Sequence, residues 1–353
     1  MPAIDEYLKM VLEKKGSDLH FLAGDPPRIR LYGDLQPLQP EKLEKDFVQQ
    51  TLYEIMPKTA VKRFEDHDGA DFAYNMGEYG RFRVNVMRQL NGMGAVMRAI
   101  PSKALSMEQL NLPPAIHQLC RANNGLILVT GKTGSGKSTT LAAMIDDINA
   151  RVKGHILTIE DPIEFVHRRK QCLISQREVG VHTKGFASAL QSGLREDPDV
   201  VLVGELRDYE TISIAVTAAE MGILVMGTLH TNGAAQTVDR MINVFPSDKQ
   251  SHVRTMLSTS LRGVVSQQLL QRADKSGRVA ALEILVNNAA VSNLIRQGKL
   301  DQLETTMQSG SQHGMRTMDS AIDALLAQRM ITGKEAYKKG INKSKFEPVK
   351  DQG

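Results

Sequence analysis

Apolar and polar positions alternate in one manner over the first hundred residues and in another over the rest. Residues 3–15 set Ile4, Leu8, Val11 and Leu12 on one side, which predicts a short amphipathic helix. Asp18–Leu22 and Arg28–Tyr32 read as strands, parted by the turn residues Gly24-Asp25-Pro26-Pro27. Residues 41–66 read as helical with an interruption at Pro57. Three further strands follow near 69–75, 81–88 and 94–100, with glycine-containing turns at Met76–Gly80 and Asn91–Gly94. This strand-rich, helix-poor stretch predicts an α+β domain over residues 1–101. Pro101-Ser102 and Pro113-Pro114 bracket a linker, and a second domain is expected over 102–353.

From residue 125 the pattern becomes strand, loop, helix. Short apolar runs predict buried strands at 125–130, 155–160, 199–204 and 223–229. Helical spacing predicts helices at 138–152, 186–195, 211–221, 234–243 and 249–272. That alternation implies a mostly parallel sheet with helices on its faces. Arg278–Val286 adds a late strand, and short helices follow from 289 to about 340. The final stretch from Asn342 to Gly353 is polar with scattered lysines and reads as frayed.

The chemistry gathers on Gly131-Lys132-Thr133-Gly134-Ser135-Gly136-Lys137-Ser138, which matches G-x-x-x-x-G-K-[ST] at every fixed position. The apolar run Leu126-Ile127-Leu128-Val129 precedes it, and Leu141, Ile145, Ile148 and Val152 follow at helical spacing. Strand, glycine-rich loop and helix in this order form a cradle for a triphosphate, from Gly131 through Thr139. The loop's N–H groups would face the anion, Lys137 would reach the β- and γ-phosphates, and the Ser138 hydroxyl would ligate Mg²⁺. The chain is therefore expected to bind a nucleoside triphosphate.

Hydrolysis needs acids near the phosphates, and open α/β sheets bind ligands beyond the C-terminal ends of their strands. Two predicted strands end in acids there. One leads into Glu160-Asp161-Pro162-Ile163-Glu164, the other into Val203-Gly204-Glu205. The second resembles a Walker B strand with Gly204 where an aspartate usually stands, so Glu205 takes the metal or its water shell. Glu164 becomes the candidate general base and Glu160 a further candidate. The same acids would also serve as helix caps or as partners of Arg207 and Arg195. Thr228-Leu229-His230-Thr231 ends another strand, where His230 is either a packed structural histidine or a sensor of the γ-phosphate. In Arg81-Phe82-Arg83-Val84-Asn85-Val86, alternation puts Arg81 and Arg83 on one face. They are either solvated or aimed at the nucleotide of a neighbouring subunit, with Arg98 a weaker third candidate.

Bulk properties narrow the partner. The chain has 353 residues, 41% hydrophobic and 24% charged, with a net charge of +4 that makes no case for nucleic acid. It has no Trp and only 5% aromatic residues, which argues against a RecA-like motor that stacks single strands in a basic groove. A nucleotide-gated switch that hardly hydrolyses is the other alternative, and the paired acids argue against it. Cys120 and Cys172 are far apart and form no C-x-x-C pair, which suggests a reducing compartment and no zinc site. There is no signal-peptide pattern and no apolar run approaching about 18 residues, so a cytoplasmic protein is expected.

Taken in order, Walker A at 131–138, the acidic box at 158–164, Walker B at 199–205 and the histidine box at 227–231 resemble the type II/type IV secretion ATPases. The similarity extends from Gly16-Ser17-Asp18-Leu19-His20 to the C-terminal helices, and is closest to the branch that retracts type IV pili. The resemblance implies an α/β protein with an N-terminal PAS-like domain and a C-terminal RecA-like P-loop domain, assembled as a homohexamer. It implies ATP and Mg²⁺ as cofactors, and catalytic roles for Glu164, Glu205 and His230. It also implies that the strand of Arg81 and Arg83 supplies arginines to the nucleotide. The implied partner is the inner-membrane platform protein PilC, with a PilU-like paralogue beside it, at the inner face of the bacterial inner membrane. Assembly-type relatives carry an extra N-terminal domain and a four-cysteine zinc module, neither of which is seen here. Retraction ATPases carry a motif resembling A-I-R-N-L-I-R-E. Here Ala290 and Asn293-Leu294-Ile295-Arg296 match it, while Val291, Ser292 and Gln297 depart from it.

Overall fold

The computed structural model describes residues 2–31, 34–100 and 104–351. Tyr32, the Pro101-Ser102 pair with the boundary expected there, and the last two residues of the tail lie outside the described residues. The chain forms two compact units. One comprises Met1–Lys103 with Asp161–Val166 and Glu178–His182; the other comprises Ala104–Glu160, His167–Arg177 and Thr183–Gly353.

The first unit runs α1 (Ile4–Glu13), β1 (Asp18–Leu22), β2 (Arg28–Leu31), β3 (Asp34–Pro37), α2 (Lys45–Ile55), α3 (Lys58–His67), β4 (Gly69–Asn75), β5 (Arg81–Gln89) and β6 (Gly92–Ile100). Its six strands form a sheet in the order β3-β2-β1-β6-β5-β4, antiparallel throughout. Strand β5 shows why the alternation was readable. Phe82, Val84 and Val86 are fully buried, and Arg83 and Asn85 on the opposite face are exposed. The buried face shares one core with Ile4, Leu8 and Val11 of α1, Val48 and Leu52 of α2, and Phe64 of α3. Each such side chain contributes about 1.5–3 kcal/mol of hydrophobic stabilisation. Pro57 parts α2 from α3, as expected at a residue without an N–H to donate. Strand β3 was not predicted, because its four residues are all exposed and carry no alternation.

The second unit opens with α4 (Pro114–Leu119) and β7 (Gly125–Thr130), followed by α5 (Lys137–Arg151), β8 (His155–Glu160), β9 (Leu173–Glu178) and α6 (Phe186–Gly193). Next come β10 (Val200–Val203), α7 (Tyr209–Glu220), β11 (Leu224–Leu229), α8 (Ala234–Asn243), α9 (Gln250–Ser260), β12 (Leu261–Gln271) and β13 (Arg278–Val286). Five helices end the chain: α10 (Ala289–Gln297), α11 (Leu303–Ser309), α12 (Met318–Ala327), α13 (Gly333–Lys339) and α14 (Lys343–Phe346). The sheet order is β13-β12-β7-β11-β10-β8-β9. Strands β12, β7, β11, β10 and β8 are mutually parallel, and β13 is antiparallel to β12. The expected α/β class is what is found, with an antiparallel sheet first and a mostly parallel one after it.

Two expectations need correction. The helix predicted over 249–272 ends at Ser260, and residues 261–271 are a strand lying between β7 and β13. Buried on both faces, this strand lacks a period of two, and its apolar spacing mimics a helix. At Pro113-Pro114, the far end of the expected linker, a helix starts, with Pro114 in its first turn, where the missing N–H costs nothing. The C-terminal stretch is not frayed. Asn342 caps α14, and Phe346 is buried in a satellite core with Met318, Ile322, Ile331 and Ala336. Among the described residues no helix is long and apolar enough to cross a membrane.

Candidate nucleotide site

The parallel registers bring four strand ends to one edge of the second unit's sheet. Thr130 pairs with Leu229, Val203 with Gly227, and Ile159 with Val203. The chain beyond β7 is the glycine-rich loop, and α5 begins at Lys137 with Gly136 as its N-cap. The Lys137 ammonium is drawn under the loop, donating to the carbonyl oxygens of Gly131 (2.8 Å) and Lys132 (3.3 Å). Gly136 has φ 91°, and a Cβ there would lie 2.7 Å from Gln267 Nε2. A Cβ on Gly131 would collide with the Gln267 carbonyl oxygen. Around Gly134, by contrast, a Cβ would meet nothing within 4 Å, so the loop is braced underneath and open above.

Ser135 bears directly on whether a phosphate chain fits. Its Oγ is buried and has no hydrogen-bond partner among the described residues. A buried hydroxyl left unpaired is costly, and an anion's oxygen is the partner such a loop is built to accept. Thr133 is exposed, and Ser138 and Thr139 are half-buried in the first turn of α5. A cleft of about 360 Å³ beside the loop is lined by Lys132, Lys338 and Lys339 and by Glu283, among others, so three lysines and one carboxylate border it.

Glu205 and His230 meet at the ends of neighbouring strands. His230 Nε2 lies 3.1 Å from Glu205 Oε1, and Arg207 Nη2 lies 2.5 Å from Glu205 Oε2. Backbone stitching fixes the approach. Leu206 N donates to Thr228 O (2.9 Å), and Thr228 Oγ1 donates to Gly204 O (2.5 Å). Burial alone would raise the Glu205 pKa, but the Arg207 hydrogen bond and the His230 and Arg207 charges outweigh it and hold the carboxyl below its ordinary value. It is therefore an anion at neutral pH, as a metal or metal-water ligand must be. Gly204 stands where an aspartate was missed because the backbone of β8 passes too close. A Cβ would lie 3.1 Å from Ile159 O and 3.2 Å from Glu160 Cα.

Glu160, at the end of β8, accepts from Thr158 Oγ1 (2.7 Å) and Gln176 Nε2 (3.3 Å). Glu164, Arg81 and Arg83 belong to the first unit. Glu164 is half-buried in the acidic stretch. Arg81 and Arg83 share a face of β5 but differ in setting. Arg81 is paired with Glu178 at 2.6 Å, whereas Arg83, nearly half exposed, lies 4.0 Å from Asp71. Arg98 is paired with the buried Asp18 at 2.7 Å.

Gln267 lies outside every motif in the sequence. Its Nε2 donates to Ser135 O and its Oε1 accepts from Thr140 Oγ1, both at 2.7 Å, clamping the loop to the first turn of α5. Nothing in the sequence sets it apart from its polar neighbours Ser266 and Gln268, in a segment whose spacing predicts a helix. The motif on α10 is also clarified. Val291 and Ile295 are fully buried, and Ser292 Oγ donates inward to Ser258 O (2.6 Å). Two of the three departures, Val291 and Ser292, thus lie on the packed side, while Ala290, Asn293 and Arg296 face solvent.

Residues 1–345 match the family model described as type II/IV secretion system protein. The type IV pilus retraction ATPase PilT of Pseudomonas aeruginosa is 48% identical, over 95% of this chain and 97% of that protein. The type IV pilus ATPase PilU of the same organism is 39% identical, over 94% of this chain and 87% of that protein. A crystal structure of the pilus retraction motor PilT with bound ADP superimposes with a TM-score of 0.90 at 43% identity, covering 97% of this chain and 98% of the other.

Proposed function

The chain belongs to the type II/IV secretion system protein family, and from that premise we propose that it is a Mg²⁺-dependent ATPase that drives type IV pilus retraction. The observation that carries the reading is the phosphate cradle, braced below by Gln267, open above Gly134, and holding a Ser135 hydroxyl that has no partner among the described residues. Similarity to a retraction ATPase over nearly the whole of both chains, and a solvent-facing Ala290–Asn293–Arg296 set on α10, support retraction in particular.

In this reading the N–H groups of Gly131 through Thr139 bind the phosphates, and Lys137 exchanges the loop carbonyls for phosphate oxygens. Ser138 and Glu205 would hold Mg²⁺. Magnesium supplies charge neutralisation at the γ-phosphate. Glu164 takes the proton from the attacking water, with Glu160 in a supporting role, and Arg81 and Arg83 meet charge developing on the phosphoryl oxygens. His230, resting on Glu205, reports loss of the γ-phosphate to α8. The working assembly is a homohexamer of subunits with a PAS-like domain over 1–101 and a RecA-like domain over 102–353. It is cytoplasmic and peripheral at the inner membrane, acting on the platform protein PilC and working beside a PilU-like paralogue. An accessory PilU-like role is the second reading, favoured only by the 39% identity to PilU.

The test is a count of surface pili and a twitching assay in cells lacking the gene, complemented by wild type or by Lys137→Ala. Excess pili without motility, restored by wild type and not by the variant, is the expected result. Bald cells would mean assembly and overturn the proposal; unchanged pili would assign the accessory role.

A further inference from the structure

We propose that Glu178 is a positioning residue that joins strand β5 to the acidic stretch carrying Glu164, so that Arg81 and Glu164 move as one piece. The inference rests on the catalytic reading of those two residues given above. Glu178 lies 97 positions after Arg81 and belongs to no recognised motif. Its Oε2 accepts from Arg81 Nη2 at 2.6 Å and from the Ile163 backbone N–H at 3.1 Å. One carboxylate oxygen thus holds an arginine from β5 and the amide one residue before Glu164.

This is a built junction rather than a chance surface pair. The Glu178 side chain is 5% exposed and that of Arg81 20%. Exposed ion pairs contribute little, but a shielded, charge-assisted bond is strong, and removing one partner strands the other's charge. The backbone of Glu178 is held as firmly. Val181 N and His182 N donate to its carbonyl (3.2 and 2.8 Å), and its own N–H donates to His182 Nδ1 (3.0 Å). Gly180 turns the chain there at φ 81°, and a Cβ would lie 2.9 Å from Arg63 Nη2. The carboxylate is therefore fixed from behind before it grips either donor.

The consequence is mechanical. An arginine and the backbone that leads into Glu164, held by the same oxygen, keep a constant offset, so whatever brings one to the triphosphate brings the other. Positioning of this kind affects the chemical step more than substrate affinity.

The test uses the full-length protein and two readouts. Amide exchange over residues 161–166 in wild type, Glu178→Gln and Arg81→Ala needs no turnover. Glu178→Gln is expected to speed exchange there about tenfold. In ATP hydrolysis, Glu178→Gln is expected to lower kcat about tenfold with KM within about threefold. Added to Arg81→Ala, it should lower kcat by clearly less than it does alone, because the Arg81 contact is already gone and only the hold on the Ile163 amide is left to lose. Unchanged exchange, losses that multiply in the double variant, or an effect confined to KM would each overturn the proposal. If wild type releases no phosphate, the ATPase reading fails instead, and the exchange data alone decide the junction.

Discussion

Glu205 and Glu283 are the same side chain on the same sheet, in regions that use it in opposite ways. Glu205 follows β10 at the nucleotide edge and faces Arg207 and His230, which hold its carboxyl acidic. Glu283 lies inside β13, 7% exposed, and faces no cation within salt-bridge distance among the described residues. Its Oε1 accepts from Ala234 N (2.6 Å) at the start of α8, and its Oε2 from Met318 N (3.0 Å) at the start of α12. Burial pushes its pKa up, opposed by those two backbone hydrogen bonds. A carboxylate at an open strand end whose partners, Arg207 and His230, are exposed side chains can release them and is available to a metal. A carboxylate spent on two helix N-termini is already occupied, and its task is to hold the histidine-box helix and a C-terminal helix to the sheet.

That contrast predicts a separation of effects, largest first. Glu205→Gln should lower kcat by about 100-fold or more, as loss of a group that stabilises charge in the transition state does. Its thermal midpoint should stay within about 2 °C of wild type. A normal kcat would remove Glu205 from the site. Glu283→Leu should do the reverse. Two buried N–H groups lose their acceptors, at roughly 2–4 kcal/mol of unfolding free energy by denaturant titration. The kcat of the folded fraction should remain within about twofold. A stability near that of wild type would show that the two helix starts find other acceptors.

How far such assignments can be made without coordinates depends on distance along the chain. The glycine-rich loop, its strand and its helix are contiguous, so the motif carried both local structure and chemistry. The period of two in β5 was equally direct, since one face meets a core and the other does not. Gln267 was invisible because it braces Ser135 from 132 residues away, on a strand whose double-sided burial imitates a helix. Glu178 and Glu283 were missed for the same reason, because what they hold, amides at 163, 234 and 318, is set by topology and by no spacing. Phe346 shows the converse failure. A polar tail reads as solvated until one aromatic finds a core, and burying it outweighs the entropy of ordering a few residues.

The smallest expected effect is also the one that opposes the two glutamates most directly. A carboxyl with a folded-state pKa below its unfolded value, about 4.3 for glutamate, binds fewer protons when folded. Stability then rises with pH through that window, so Glu205 contributes above the unfolded value and loses its contribution as pH falls through the depressed folded one. Glu283 has the opposite sign. With its folded pKa raised, the folded state holds the proton longer, so its contribution is complete below about 4.3 and fades as pH rises through the folded value. Midpoints measured from pH 4 upward for wild type, Glu205→Gln and Glu283→Gln should therefore give difference curves of opposite slope. The wild-type advantage over Glu205→Gln grows with pH, and that over Glu283→Gln shrinks. Each excursion should be roughly a degree or two, smaller for Glu205 because solvent screens it. Parallel slopes would mean that the carboxylate on β13 is no more desolvated than the one at the nucleotide edge, and the division between an available acid and an occupied one would fail.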